Sequence, residues 1–171
     1  MVRRFEMSEF GQEFFDSAPI IYRIDTLIPV SPQRVWAELT NDNTLDWCRA
    51  INSVDFTSSK PHGVGTTRTA VLGHGRIRLH ERYFLWEDHP EQGHYRNAFQ
   101  VIEANLPGLR RFGELTEVRP SGAGTHLCWT FAVELATSSK VVHSVLATAF
   151  RVPLAMVKAD TIEYFGNLSH T

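Results

Sequence analysis

The feature that most constrains this fold is one long helical pattern at the end of a chain that otherwise reads as strands. Between residues 138 and 166, apolar side chains recur at three- and four-residue steps. They are Val142, Val145, Leu146, Ala149, Val152 and Met156. About 29 residues at about 1.5 Å each would span about 40 Å, the width of a whole domain. Pro153 predicts a kink in this helix, and Gly166 predicts its end.

Seven strand-like segments precede the helix, with alternating apolar and polar residues bounded by turn residues. They cover residues 20–28, 53–57, 65–72, 76–87, 94–102, 110–118 and 125–135. Ser31 and Pro32 are typical of a helix start, and a second short helix would carry Leu45 and Trp47. Two short helices therefore separate the first strand from the second. This pattern predicts an α+β fold.

One domain accounts for residues 20–171, and residues 1–19 form an N-terminal extension. The extension carries Met7, Phe10 and Phe14 at helical spacing, which predicts a short helix packed on the domain. The length of 171 residues is ordinary for a single domain.

Composition excludes several classes of protein. Seventeen basic and nineteen acidic residues leave a net charge of −2, which disfavours binding to nucleic acid. No apolar stretch is long enough to span a membrane, and no signal peptide is visible. The two cysteines, Cys48 and Cys128, belong to no metal-binding motif, which predicts reduced thiols in a cytoplasmic protein. No nucleotide-binding or hydrolase motif is present, so we predict neither a cofactor nor a metal.

Several short motifs, in this order, resemble the helix-grip fold of the START/Bet v 1-like (SRPBCC) superfamily, especially its polyketide cyclase/dehydrase branch. The matching residues are Val30-Ser31-Pro32-Gln33-Arg34-Val35-Trp36, Asp46-Trp47, Gly63-Val64-Gly65-Thr66-Thr67-Arg68, Glu81, and Gly124-Thr125 leading to Trp129. The resemblance implies a seven-stranded, curved antiparallel sheet around the C-terminal helix. It also implies an apolar cavity between the two, with Leu106-Pro107-Gly108 at its mouth.

Strand phase then predicts which side chains face this cavity. Ile77, Leu79, Glu81, Tyr83 and Leu85 share one face of a strand, and Leu127, Trp129, Phe131 and Val133 share one face of another. The predicted ligand-binding residues are Trp47, Arg68, Leu79, Glu81, Tyr83, Tyr95, Trp129, Phe131, Ala149, Val152 and Met156. For Trp47, Tyr95 and Trp129, ordinary core packing is the alternative interpretation.

Glu81 is the most informative of these residues, because its strand phase puts a carboxylate among apolar neighbours. An unpaired buried charge is costly, so Glu81 should be paired or have a raised pKa. Three roles stay open: a structural partner of Arg68, an anchor for a ligand, or a general acid or base. Tyr83 and His143 are the other candidates for proton transfer. The strand phase of Arg68 is not fixed by the sequence.

The first functional hypothesis is binding or transport of a small hydrophobic ligand: a lipid, a fatty acid or a polyketide. The second is a polyketide aromatase/cyclase or dehydratase that uses the same cavity. The third is an interaction module that acts through its surface. The expected partner is a small apolar ligand. The oligomeric state, monomer or homodimer, stays open.

Overall fold

A computed structural model describes residues 3–137 and 139–169, with the backbone alone at residues 140–143, 145–147, 149 and 150. Eight strands and three helices lie within these residues. The strands are β1 (Phe5–Glu6), β2 (Ile20–Ile28), β3 (Ile51–Phe56), β4 (Thr67–Leu72), β5 (Ile77–His89), β6 (His94–Ala104), β7 (Leu109–Ser121) and β8 (Gly124–Leu135). The helices are α1 (Phe14–Ser17), α2 (Pro32–Thr40) and α3 (Lys140–Leu168).

Seven of the strands form one antiparallel sheet in the order β2-β8-β7-β6-β5-β4-β3. Consecutive strands are neighbours from β3 to β8, and β2 pairs with β8 along its whole length, from Ile20 opposite Val133 to Ile28 opposite Thr125. The inner face carries a core to which α3 contributes Val157 and Phe165. The predicted helix-grip fold is confirmed.

The segment between β2 and β3 contains one regular helix. Ser31 Oγ accepts a hydrogen bond from the Arg34 backbone N–H at 3.3 Å, and Pro32 occupies the first turn of α2. The second predicted helix, around Leu45 and Trp47, is a run of tight turns over residues 42–47. Leu45 has a φ of 63°, a left-handed conformation that a regular helix does not accommodate.

The N-terminal extension is built into the sheet. β1 pairs with the end of β6, and the Met7 and Ser8 N–H groups donate to Ile102 of β6 and to Arg110 of β7, at 3.0 and 2.9 Å. The predicted helix through Met7 is therefore wrong in its first half. Only α1 is helical. The backbone at Met7 and Ser8 instead forms its hydrogen bonds with β6 and β7, so these residues are not part of a helix.

A bulge in β5 changes the predicted strand phase. The β5–β6 register shifts between Tyr83 and Leu85, so that Tyr83 lies opposite Phe99 and Leu85 opposite Ala98. Leu85 consequently packs in an outer cluster with Phe14 and Phe15 instead of facing the inside, which corrects the prediction.

The long helix α3 ends two residues beyond its predicted end at Gly166, and the kink predicted at Pro153 stays a prediction. Pro153 lies within it, and the helix passes Gly166 to end at Leu168. Its buried face has four-residue steps, at Val157, Thr161 and Phe165. Of the predicted stripe, the side chains of Val142, Val145, Leu146 and Ala149 lie outside the described residues, and Val152 is 67% exposed.

The outer cluster predicts that the extension stabilises the whole domain. Phe15 is buried against Phe84, and Phe15→Ala would leave a void on the convex face of the sheet. We expect it to lower the free energy of unfolding by about 3–5 kcal/mol, measured by urea denaturation. Leu27→Ala is the control, because Leu27 is 69% exposed and the change should stay within about 0.5 kcal/mol. A Phe15→Ala effect as small as the control would contradict this role.

Candidate functional site

A cavity of about 430 Å³ lies between the inner face of the sheet and α3. Its walls are mostly apolar and come from every strand from β2 to β8 and from the helix. They include Val54, Ala70, Leu79, Phe112, Phe131, Val133, Leu154 and Val157. This volume is in the usual range for sites that enclose a small organic molecule.

The lining residues that are exposed at the surface are Arg49, Asn52, Gly73, His74 and Val152, which places the entrance between them, with Leu106 and Pro153 half-buried beside it. Leu106 belongs to the loop that was predicted at the mouth. Val152 lines the cavity and is also 67% exposed, which places it where the cavity meets the solvent.

A buried ion pair forms part of the cavity wall. Arg68 on β4 lies directly opposite Glu81 on β5, and Arg68 Nε donates to Glu81 Oε2 at 2.5 Å. The two side chains are 5% and 3% exposed. The Arg68 guanidinium also lies 4.6 Å from the ring centre of Phe99 and 5.2 Å from that of Tyr83. Arg68 is therefore held by a carboxylate and two aromatic rings.

Glu114 on β7 adds a second carboxylate to the same cavity. It lies opposite Phe99 on one side and Phe131 on the other, and Glu114 Oε1 accepts a hydrogen bond from Thr116 Oγ1 at 2.9 Å. Part of its surface is accessible because it lines the cavity. Burial, which the Arg68 charge offsets only in part, raises the pKa of Glu114 to about 7. Glu114 can therefore exchange a proton near neutral pH.

The ion pair has its own electrostatic balance. Burial raises the pKa of Glu81, and the charge and hydrogen bond of Arg68 act against that rise. Burial alone would lower the pKa of Arg68, but Glu81, Tyr83 and Glu114 outweigh it and hold that pKa above its usual value. Arg68 thus stays a cation.

The structure brings seven of the predicted ligand-binding residues to the cavity wall. They are Arg68, Leu79, Glu81, Trp129, Phe131, Val152 and Met156. The side chains of His143 and Ala149 lie outside the described residues. Three other predictions need correction, since Trp47, Tyr83 and Tyr95 pack elsewhere among the residues that the structure describes.

Each of the three has a specific packing role. Trp47 stacks on Tyr164 of α3 at 4.1 Å, and its Nε1–H donates to Thr161 Oγ1 at 3.4 Å. Tyr95 stacks on Trp36 of α2 at 5.3 Å. Tyr83 is buried beneath Arg68, between Trp86 and Phe99. Tyr83 and Tyr95 belong to the core and Trp47 packs against it, which for Trp47 and Tyr95 agrees with the alternative interpretation.

Sequence reasoning missed Glu114, although the signal was present. Strand phase alone predicts that Glu114 points inward, because it belongs to the set of β7 residues that alternate with those of the outer face. This set is Phe112, Glu114, Thr116 and Val118. A carboxylate in an inward phase is the same signal that singled out Glu81.

The rim of the cavity is tied to α3 by a second ion pair. Asp160 of α3 accepts the Arg49 backbone N–H at 2.8 Å and the Arg49 Nε and Nη2 groups at 2.9 and 2.6 Å. These hydrogen bonds lower the pKa of Asp160. Asp160 is 4% exposed and Arg49 69% exposed, so the pair joins the core to the outer rim.

Two other kinds of site have no counterpart in what the structure describes. No group of three or more His, Cys, Asp or Glu side chains within the described residues could hold a metal ion. In the same part of the chain, no helix is both long and apolar enough to cross a membrane.

Comparison with known sequences assigns the chain to a family. A sequence model of the family described as polyketide cyclase/dehydrase and lipid transport matches residues 21–160. The chain belongs to this family. The family includes polyketide cyclases and lipid carriers, so membership is compatible with a ligand-binding or a cyclising role. No curated protein matches the sequence.

Solved structures with low sequence identity share the fold. XoxI from Bacillus cereus is 18% identical with a TM-score of 0.67, covering 89% of this chain and 99% of its own. The Zhui aromatase/cyclase from Streptomyces sp. R1128 is 10% identical with a TM-score of 0.66, covering 85% and 93%. Major latex-like protein 151 from Panax ginseng is 16% identical with a TM-score of 0.63, covering 85% and 96%. These likenesses support the helix-grip fold of the family.

The raised pKa of Glu114 predicts how stability depends on pH. An unfolded glutamate titrates near about 4.3, so the folded protein binds more protons between that pH and about 7. The free energy of unfolding should therefore fall as pH rises through this window, by up to about 3 kcal/mol from this group. Glu114→Gln should remove this part of the slope and be more stable than the wild type at pH 8.

The measurement is urea denaturation between pH 5 and 8. Glu117→Gln is the matched control, since Glu117 lies on the opposite face of the same strand and pairs with Arg119 at 2.6 Å. It should keep the wild-type slope. Equal slopes in Glu114→Gln and the wild type would show that Glu114 is not responsible.

Proposed function

We propose that this protein binds a small, mainly apolar molecule inside the cavity, with a polar group of that molecule beside Arg68, Glu81 and Glu114. The observation that carries this proposal is a cavity of about 430 Å³ with largely apolar walls in a folded chain. A void of this size forfeits many packing contacts. A bound ligand would restore them.

The polar residues support an anchoring role. Arg68 and Glu81 are buried and hold each other in place, while Glu114 is fixed through Thr116. Ligand sites typically combine apolar walls with a few such fixed polar groups, because these orient the ligand. The family to which the chain belongs includes carriers of lipids, which agrees with a binding role.

A second function, polyketide cyclisation or dehydration, is favoured by one observation. Glu114 lines the cavity, and its pKa of about 7 suits a group that takes up and returns a proton at neutral pH. As a base, Glu114 would accept a proton from the carbon between two carbonyl groups. The resulting enolate would attack the carbon of a further carbonyl group in the same ketide chain. The oxygen of that carbonyl group would then receive the proton from Glu114.

Uptake of an uncharged dye tests the binding function. The wild type should give a saturable rise in Nile red fluorescence, and Ala70→Phe should abolish it, because Ala70 lines the cavity and a larger ring there would fill it. Val152→Trp should slow association by narrowing the entrance. Val64→Trp is the control, since Val64 is 69% exposed and outside the cavity lining.

Thermal melts of each variant separate a filled cavity from a damaged fold. A cooperative melt with lost dye binding in Ala70→Phe supports the proposal. Dye binding that stays at the wild-type level in a folded Ala70→Phe variant would refute it and favour the surface interaction module.

Turnover distinguishes the enzyme from the carrier. The protein would be incubated with a short poly-β-ketone thioester, and cyclised products would be measured by liquid chromatography and mass spectrometry. If Glu114 is the base, Glu114→Gln should retain ligand binding and lose about a hundredfold or more in rate. Glu117→Gln should keep the rate. Wild-type protein that binds the thioester without accelerating cyclisation would exclude the enzymatic function for that substrate.

A further inference from the structure

The net charge of the described residues inside the cavity does not favour an anionic ligand. Among the described residues that line it, the buried charged groups are one guanidinium, Arg68, and two carboxylates, Glu81 and Glu114. Arg49 also borders the cavity, but its side chain is 69% exposed and is neutralised by Asp160. The described residues therefore place a charge of zero inside the cavity when Glu114 holds a proton and −1 when it does not.

An anionic ligand would meet an unfavourable field. Arg68, the one buried cation among the described lining residues, already has a carboxylate at 2.5 Å, so a second anion would share Arg68 with Glu81 or lie unpaired in an apolar space. Either arrangement places two or three negative groups within one small cavity. Like charges in a medium of low dielectric repel strongly, and the anion would also lose its hydration.

Uncharged polar groups fit the same site. Within the described residues, Arg68 and Glu114 form no ion pair within 4.0 Å, and Thr116 is the only hydroxyl donor to Glu114. Glu114 can thus accept a hydrogen bond from a hydroxyl or an amine. The Arg68 Nη groups, which donate no hydrogen bond to a described residue, can donate to a carbonyl.

We propose that the cavity selects its ligand by charge: it accepts apolar molecules that carry a hydroxyl, carbonyl or amino group and discriminates against those that carry a carboxylate or a phosphate. This inference rests on the proposed binding function and narrows it. Of the ligand classes considered from the sequence, ionised fatty acids fit least, whereas alcohols and ketones of similar length fit well.

The test compares three ligands with the same ten-carbon chain and different charge. Decan-1-ol, decylamine and decanoate would compete with Nile red at pH 8, where most Glu114 is ionised. The alcohol should displace the dye. Decylamine is an ammonium cation at this pH and should displace it too, because ionised Glu114 attracts it. Decanoate should bind at least about tenfold more weakly than the alcohol. Decanoate that binds as well as decan-1-ol would overturn the inference.

Two variants test whether the carboxylates cause the selection. Glu114→Gln and Glu81→Gln each remove one negative charge with little change in size, so each should raise the affinity for decanoate relative to decan-1-ol by about tenfold or more. Glu117→Gln, on the outer face of β7, should leave this ratio unchanged. If Glu81→Gln does not fold, the ratio in Glu114→Gln decides alone, and a wild-type ratio there would also refute the inference.

The outcomes separate this inference from the proposed function. Saturable dye binding with equal displacement by all three ligands would leave the binding function in place and refute charge selection. If the wild-type protein shows no saturable dye binding, both the binding function and charge selection are refuted.

Discussion

The position of α3 controls both the core and the cavity of this domain. Its C-terminal half is fixed at several points: Asp160 binds Arg49, Thr161 accepts the Trp47 indole N–H, and Phe165 is completely buried. Among the described residues of α3, the buried apolar side chains, Val157 and Phe165, both lie in this half. At Val152 the helix is instead exposed at the cavity entrance. The described contacts that fix α3 therefore lie on the C-terminal side of the cavity entrance.

The charged groups in the cavity are difficult to explain by stability alone. A buried ion pair often contributes less than apolar residues of similar volume, because both charges lose their hydration. Glu114 adds a carboxylate that burial disfavours in its ionised form. A chain selected only for stability would replace these residues with apolar ones. Their presence on a cavity wall, with fixed partners and an open side, is typical of groups that act on a ligand.

Local patterns in the sequence were sufficient for most of the fold and for part of the site. Alternation identified Glu81 as inward and Arg68 as its candidate partner, and the structure pairs them. The same reading failed at Leu85, since a bulge shifts strand phase without a marker in the residue pattern. Trp47 could not be placed from sequence, because its partner Tyr164 is distant in the chain. The inward orientation of Glu114 could be predicted from its strand phase, but only the structure shows that Glu114 shares a cavity with Arg68.

The N-terminal extension explains how the sheet tolerates a cavity on its inner face. Phe10, Phe14 and Phe15 cover the convex side, where they pack with Leu85 and Ala98. This outer cluster buries apolar surface without using the inner space. Gly113 is part of the same arrangement, because a Cβ there would lie 2.5 Å from the ring of Phe10. Apolar surface buried in the outer cluster stabilises the domain and offsets the packing contacts that the cavity lacks on the inner face. The inner face can then be shaped for a ligand.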